Sequence, residues 1–260
     1  MTGRWASRGG GGALQLPRQV RSAVVADAGW KLVVADAAQL EPRILAAMSG
    51  DRRMMAAGRS DMYEGIVGSG AVATRDQAKV AMLGAMYGAT SGESGRLLPR
   101  LTRAFPEALA FVEAAARAGE RGESVSTRLG RSSPTGPGPG YDETTSTAEV
   151  RRRQSATLAR GRFTRNFVVQ GTAAEWALCW MAALRRRMVA LGEGLPLTAR
   201  AHLVFFLHDE LVLHSPAEHA KAVADLAVEA ADEAGRLLFG SAPIGFPLAV
   251  AIVDDYSEAK

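Results

Sequence analysis

Three acidic residues sit against apolar runs. Asp209 and Glu210, preceded by His208, separate Leu203–Leu207 from Leu211–Leu213, and Asp36 closes the run Leu32-Val33-Val34-Ala35. Carboxylates at the ends of buried strands are costly unless positive charge meets them. Two carboxylates remote in sequence, brought onto adjacent strands, are what two-metal phosphoryl transfer requires, and the same pair would serve a nuclease. A second set is Arg75, Lys79, Leu83 and Tyr87, spaced by four. On a helix these form one slowly rotating stripe, and Arg75 to Leu83 spans roughly 12 Å, about a triphosphate plus its sugar. Two cations, an apolar platform and an aromatic would then meet phosphate, phosphate, base and template in order. The spacing fits equally well two snorkelling cations on an amphipathic helix. A nuclease would have no triphosphate for the stripe to hold.

These residues need strands for the acids and a helix for the stripe. A strand pair is expected from Arg21 to Asp36 around Asp27-Ala28-Gly29. A helix is expected at 41–48, with Pro42 in its first turn and Ser49-Gly50-Asp51 ending it. Further helices are expected at 61–68, at 74–87 between Thr74 and Gly88, and at 106–118. Residues 119–142 read as loop, with Ser133–Gly140 a Pro/Gly-rich connector. Helices follow at about 144–161 and 172–191, then a hairpin at 208, a helix over 216–239 and a strand near 247–253. Strands at both ends with helices between them predict an α+β fold, an antiparallel sheet carrying a helical insertion.

Composition narrows the class. The 260 residues are 47% hydrophobic, enough for a large core. There are 31 basic and 27 acidic residues, and Arg151–Arg153, Arg160, Arg162 and Arg165 cluster, with Arg185–Arg187 after them. That permits a polyanionic partner, and a solvated helical face would look the same. Cys179, the single cysteine, excludes an intrachain disulfide and reads as core filler. No membrane span and no signal peptide are expected, which places the protein in the cytoplasm.

Read as motifs, residues 33–51, VVADAAQLEPRILAAMSGD, resemble motif A of the DNA polymerase I family, family A. Residues 75–88, RDQAKVAMLGAMYG, are similar to its fingers-helix motif, and His208-Asp209-Glu210 resembles motif C. Asn166 to Glu175 is similar to the segment that lines the primer–template, Thr2-Gly3-Arg4 and Leu14-Gln15 to the stretch opening the palm, and Pro247 to Lys260 to the family's C-terminal end. The order is the family's. The resemblance implies a DNA-directed DNA polymerase domain, with palm at 1–51 and 161–260 and fingers and connector at 52–160. Its partners would be dNTPs and primer–template DNA, at the nucleoid. Asp36 and Asp209 would hold two Mg²⁺ ions, with Mn²⁺ a substitute, and Glu210 would contribute beside them. Arg75 and Lys79 would bind the triphosphate, and Lys79 would share in catalysis. Leu83 would lie at the incoming base, Tyr87 at the template base, and Glu41 would exclude a ribose 2′-hydroxyl with Arg43 in support. Arg4, Arg162, Asn166, Gln170 and His208 would contact primer or template.

Some positions depart from the pattern. Ala37-Ala38 stand where Tyr-Ser is usual, Pro42 replaces an apolar helix former, Met82 replaces Asn, and Leu83 replaces an aromatic. Losing that ring forfeits stacking of about 1–3 kcal/mol. The family's thumb precedes the Thr-Gly-Arg motif, so the chain is expected to be palm and fingers, with a thumb and exonuclease region upstream of it or missing. A catalytically weak or inactive primer–template-binding module is the alternative.

Overall fold

A computed structural model describes residues 16–89, 91–136 and 146–259. Two compact units are present. Among the described residues, one comprises those within 41–175 and 241–245, the other those within 16–40, 176–240 and 246–259. The packing divides at 40/41 and 175/176.

The second unit is built on one antiparallel sheet. Its strands β1 (Trp30–Ala37), β2 (His202–Leu207), β3 (Glu210–Pro216) and β4 (Leu248–Val253) lie in the order β2-β3-β1-β4. β1 is central and buried on both faces. Leu32 and Val34 point to a cluster with Val212 and Tyr256, and Val33 and Ala35 to the other side. The expected strand pair over 21–36 does not form. The turn exists, with the Trp30 N–H donating to the Asp27 carbonyl at 2.9 Å. Both edges of β1 are, however, already taken by β3 and β4. The incoming segment therefore forms a 3₁₀ turn, Arg18–Ala23, and a single bridge from Val25 to Asp255. One long helix of this unit packs on β1, β3 and β4. It spans Ala220–Phe239 and is labelled α8 below.

The first unit is helical: α1 (Leu40–Ser49, whose first residue belongs to the other unit), α2 (Arg52–Ala57), α3 (Met62–Gly68), α4 (Arg75–Tyr87), α5 (Gly92–Ala104) and α6 (Pro106–Glu120). Caps explain the boundaries. Asp51 accepts from Met54 N–H, Asp61 from Tyr63 and Glu64 N–H, and Thr74 from Gln77 N–H. Asp51 is fully buried because its other oxygen accepts from Ala108 N–H, capping α6 as well. α2 and α5 have no counterpart in the expected elements. Six residues are too few for a periodicity, and Gly92 and Pro99 read as breaks although Leu97 and Leu101 are buried one turn apart.

The helices expected at 144–161 and 172–191 are one, α7, Thr147–Leu191. The stretch between them carries buried Phe167, Val168 and Val169. Two glycines let α6 and α7 approach: a Cβ on Gly119 would lie 2.1 Å from Thr164 Oγ1, and one on Gly161 would lie 2.8 Å from the Glu120 side chain. By length and composition alone an 18-residue window of α7 could cross a membrane, and 72% of it is buried inside the protein, as in a core helix. Cys179, expected as core filler, is half-buried on α7.

Candidate functional site

In the second unit the β1–β3 register sets Asp36 directly opposite Glu210, and the Ala37 N–H donates to the Asp209 carbonyl at 2.8 Å. Three acids thus gather at one end of two adjacent strands. Like charges directly opposite across a ladder are unfavourable, so the arrangement calls for positive charge. Asp36, His208 and Asp209 are half-buried; Glu210 is 2% exposed. The Glu210 Oε1 accepts from the hydroxyl of Tyr256, itself 1% exposed. Glu210 is therefore anchored inward, while the two aspartates keep access to solvent.

The hairpin tip is strained. His208 has φ +59°, and the Asp209 N–H donates to the Leu207 carbonyl at 2.7 Å, closing a three-residue turn on the histidine. Among the described residues two non-glycines have positive φ, His208 beside Asp209 and Gln39 three residues beyond Asp36. Such backbone costs on the order of 1–3 kcal/mol and persists only where its surroundings enforce it.

In the first unit α4 presents the stripe to solvent: Arg75, Lys79, Leu83 and Tyr87 are all exposed, while Ala78, Ala81, Met82 and Ala85 are buried behind them. Lys79 makes no ion pair with a described residue. Arg75 is engaged. Its Nη2 donates to Asp61 Oδ2 at 2.9 Å, Glu64 lies at 4.0 Å, and the guanidinium covers the Tyr63 ring at 5.3 Å. Burial alone would raise the Asp61 carboxyl, but Arg75 and the N–H groups of Glu64 and Tyr63 outweigh it and hold it below its ordinary value. Burial pushes the Tyr63 hydroxyl up, against the opposing pull of Arg75.

Glu41 and Tyr87 come together, the tyrosine hydroxyl donating to Glu41 Oε2 at 3.1 Å. Arg43 is 1% exposed and spans three carbonyls, those of Gly58, Ser60 and Gly245, which fixes α1 against the α2–α3 turn. Desolvation lowers its pKa, with Asp61 opposing. Its role is to position α1, and with it Glu41.

On α7, Arg162, Asn166 and Gln170 share one face at intervals of four. Asn166 Nδ2 reaches Gln170 Oε1 at 3.4 Å, and Asn166 Oδ1 is buried with no hydrogen-bond partner among the described residues. Most of the basic cluster is occupied by the protein itself. Arg165, 9% exposed, donates to the Ala85 carbonyl and pairs with Glu113; Arg160 donates to the Pro134 carbonyl; Arg186 and Arg187 pair with acids of α8. Arg151, Arg152 and Arg162 remain exposed. Arg4 lies outside the described residues.

Residues 13–252 match the model of DNA polymerase family A. The chain belongs to DNA polymerase family A. It is 30% identical over 268 residues to the thermostable DNA polymerase I of Thermus aquaticus, with 94% of this chain and 29% of that protein covered. The corresponding Thermus thermophilus enzyme is 31% identical over the same shares. DNA polymerase I of Chloroflexus aurantiacus is 28% identical over 80% of the chain and 22% of its own length. The family A chain thus spans under a third of these relatives. In fold it is similar to the POL domain of Pol1 from M. smegmatis, solved in complex with DNA primer–template and dNTP, with a TM-score of 0.73 at 21% identity. That similarity covers 93% of this chain and 43% of the other.

Sequence reasoning missed Tyr256, Asp61 and Asp51 in this family A chain. Tyr256 lies in the C-terminal segment, whose resemblance to the family's end singled out no individual residue. The two aspartates did carry a signal, an acid just before a helical run, which marks a capping residue and nothing more.

Proposed function

We propose that this chain carries a DNA-directed DNA polymerase domain, adding deoxynucleoside monophosphates to a primer 3′-hydroxyl under template direction, in DNA replication or repair. The observation that carries this reading is the β1–β3 register, which brings Asp36 and the Asp209-Glu210 pair from distant parts of the chain to one strand end. Polymerase relatives matched over most of the chain support it. Asp36 and Asp209 would hold two Mg²⁺ ions, or Mn²⁺ in their place. The donor set fits, because it offers two carboxylates at half-buried positions. No three His, Cys, Asp or Glu side chains form a ready cage among the described residues. Mg²⁺ needs none, since it is commonly held by one or two carboxylates plus substrate phosphates and water. When bound, the ions would activate the primer hydroxyl and neutralise charge on the leaving pyrophosphate.

The protein's own groups supply positioning. Lys79 and Arg75 on the open face of α4 meet the triphosphate, and Leu83 lies beneath the base with less stacking than an aromatic ring. Tyr87 holds Glu41 where the sugar is read. Arg162, Asn166 and Gln170 face the nucleic acid, and His208 the primer end. Glu210, tied to Tyr256, steadies the start of β3, to which the turn carrying Asp209 is joined.

A primer-extension assay with Mg²⁺ tests the proposal. Asp36→Ala and Asp209→Ala should each abolish extension by the wild-type chain; extension unaffected by both would sink the metal-site assignment. A primer–template-binding module of weak or no activity is the second reading, favoured by Leu83 and by the engagement of Arg75 with Asp61. Binding without incorporation at any Mg²⁺ or Mn²⁺ concentration would select it.

A further inference from the structure

Asp61 divides its two oxygens between two tasks. Oδ1 accepts the Tyr63 and Glu64 N–H groups at 2.9 and 3.0 Å and caps α3. Oδ2 faces away from the cap and takes Arg75 Nη2 at 2.9 Å and Nε at 3.3 Å, a two-pronged contact. Beneath the guanidinium lies the Tyr63 ring, and Glu64 stands at its side. Arg75 is thus held on one face by an aromatic and along one edge by a carboxylate, all from the first turn of α3. Lys79, one turn further along α4, is exposed and has no such partner among the described residues.

We infer that Asp61 is an internal competitor for Arg75, a specificity-determining residue that makes the α4 stripe respond to the outermost phosphate of a nucleoside triphosphate. This rests on the reading of the stripe as a triphosphate site. The physical reason is charge. A cation shared with a carboxylate presents little net field to a ligand, so an incoming phosphate must displace Asp61 or share the guanidinium with it. A diphosphate that reaches Lys79 but stops short of Arg75 does not meet this competition. A triphosphate does, and its extra charge is what overcomes it. Both Asp61 and Arg75 retain some exposure, so the competition is screened by salt and modest in size.

Asp61→Asn is the discriminating variant, because asparagine caps a helix as well as aspartate does while presenting no negative charge to Arg75. Equilibrium binding of a fluorescent deoxynucleoside triphosphate and of its diphosphate is measured with Mg²⁺ present and primer absent, so that no turnover occurs. The variants are wild type, Asp61→Asn, Arg75→Ala, the double variant and Lys79→Ala. The expected result is triphosphate binding tightened about threefold to tenfold by Asp61→Asn, diphosphate binding changed less than twofold, and no tightening in the Arg75→Ala background. High salt should shrink the difference between wild type and Asp61→Asn. Unchanged or weaker triphosphate binding by Asp61→Asn overturns the inference, as does tightening that survives without Arg75. Lys79→Ala separates this from the underlying reading. If wild type binds triphosphate and Lys79→Ala does not, the stripe stands whatever Asp61 does; if Lys79→Ala binds as wild type does, the stripe reading itself fails.

Discussion

Tyr256→Phe removes one oxygen from the protein and little else. The ring packs with Leu32, Val34 and Val212, and phenylalanine keeps that packing. What is lost is the hydroxyl donated to Glu210 Oε1 at a place where both residues are at most 2% exposed. Water cannot readily replace the donor there, so the carboxyl bears the desolvation cost of the lost bond, about 1.5–3 kcal/mol for a hydrogen bond to a charged group. At about 2–4 °C per kcal/mol for a chain of this size, the melting temperature should fall by about 3–12 °C. Trp30, Trp176 and Trp180 all belong to the same unit as Glu210 and Tyr256, so urea unfolding followed by tryptophan fluorescence reads the affected unit. Glu210→Gln placed on top of Tyr256→Phe should recover part of the loss, because a neutral amide is cheaper to bury than an acid missing its donor. In primer extension, Tyr256→Phe should lower kcat more than it raises KM for dNTP, since it loosens the start of β3 next to Asp209 and leaves α4 untouched. A variant as stable as wild type to within about 0.5 kcal/mol, a size typical of neutral surface changes, would refute this account of Glu210.

Tyr87→Phe deletes the 3.1 Å bond to Glu41. At about 0.5–1.5 kcal/mol for such a bond, discrimination against ribonucleotides should drop about twofold to twelvefold, measured as the ratio of kcat/KM for dNTP over rNTP; an unchanged ratio would separate Tyr87 from sugar selection. His214 stacks on Trp30 with ring centroids 4.5 Å apart, and its Nε2 accepts the Asp27 N–H at 3.2 Å. Burial lowers its pKa, with Asp27 opposing and His202, its cross-strand partner, adding to the lowering. The unfolded chain therefore binds the proton more readily than the folded one, so this contribution to stability is full above the ordinary histidine pKa of about 6.5 and shrinks as pH falls below it. His214→Phe keeps the stack and should flatten the stability profile as pH falls below about 6.5; a profile as steep as wild type would place the titration elsewhere.

Much of this was legible in the residues themselves. Thr74 and Gly88 bracket α4, and the structure ends that helix at those two residues, because an N-cap hydroxyl and a glycine at positive φ are local requirements that neighbours in sequence satisfy. Pro42 sits in the first turn of α1, and the hairpin turn follows from apolar runs with three polar residues between them, of which His208 and Asp209 form the tip and Glu210 begins β3. Where prediction failed, the deciding partner lay far away in the chain. The first strand of the pair expected over 21–36 lost to β3 and β4, which come from residues beyond 200 and occupy both edges of β1. The break expected within 144–191 is absent because the buried face of that stretch packs continuously, with Gly119 and Gly161 allowing α6 and α7 to close on each other.

The same division holds for the candidate site. By itself the sequence determined which side chains were available: two aspartates at strand ends, a cation stripe at helical spacing, and motifs in the order of a polymerase family. Only the tertiary structure decided how they are held. It turned Glu210 inward to Tyr256, left Asp36 and Asp209 half-open, gave Arg75 to Asp61 and Tyr63, and engaged Arg160, Arg165, Arg186 and Arg187 with the protein itself. The reason is physical. Residue type and spacing fix the chemistry and face of a local element, whereas the partner of a charged group depends on which distant element closes over it.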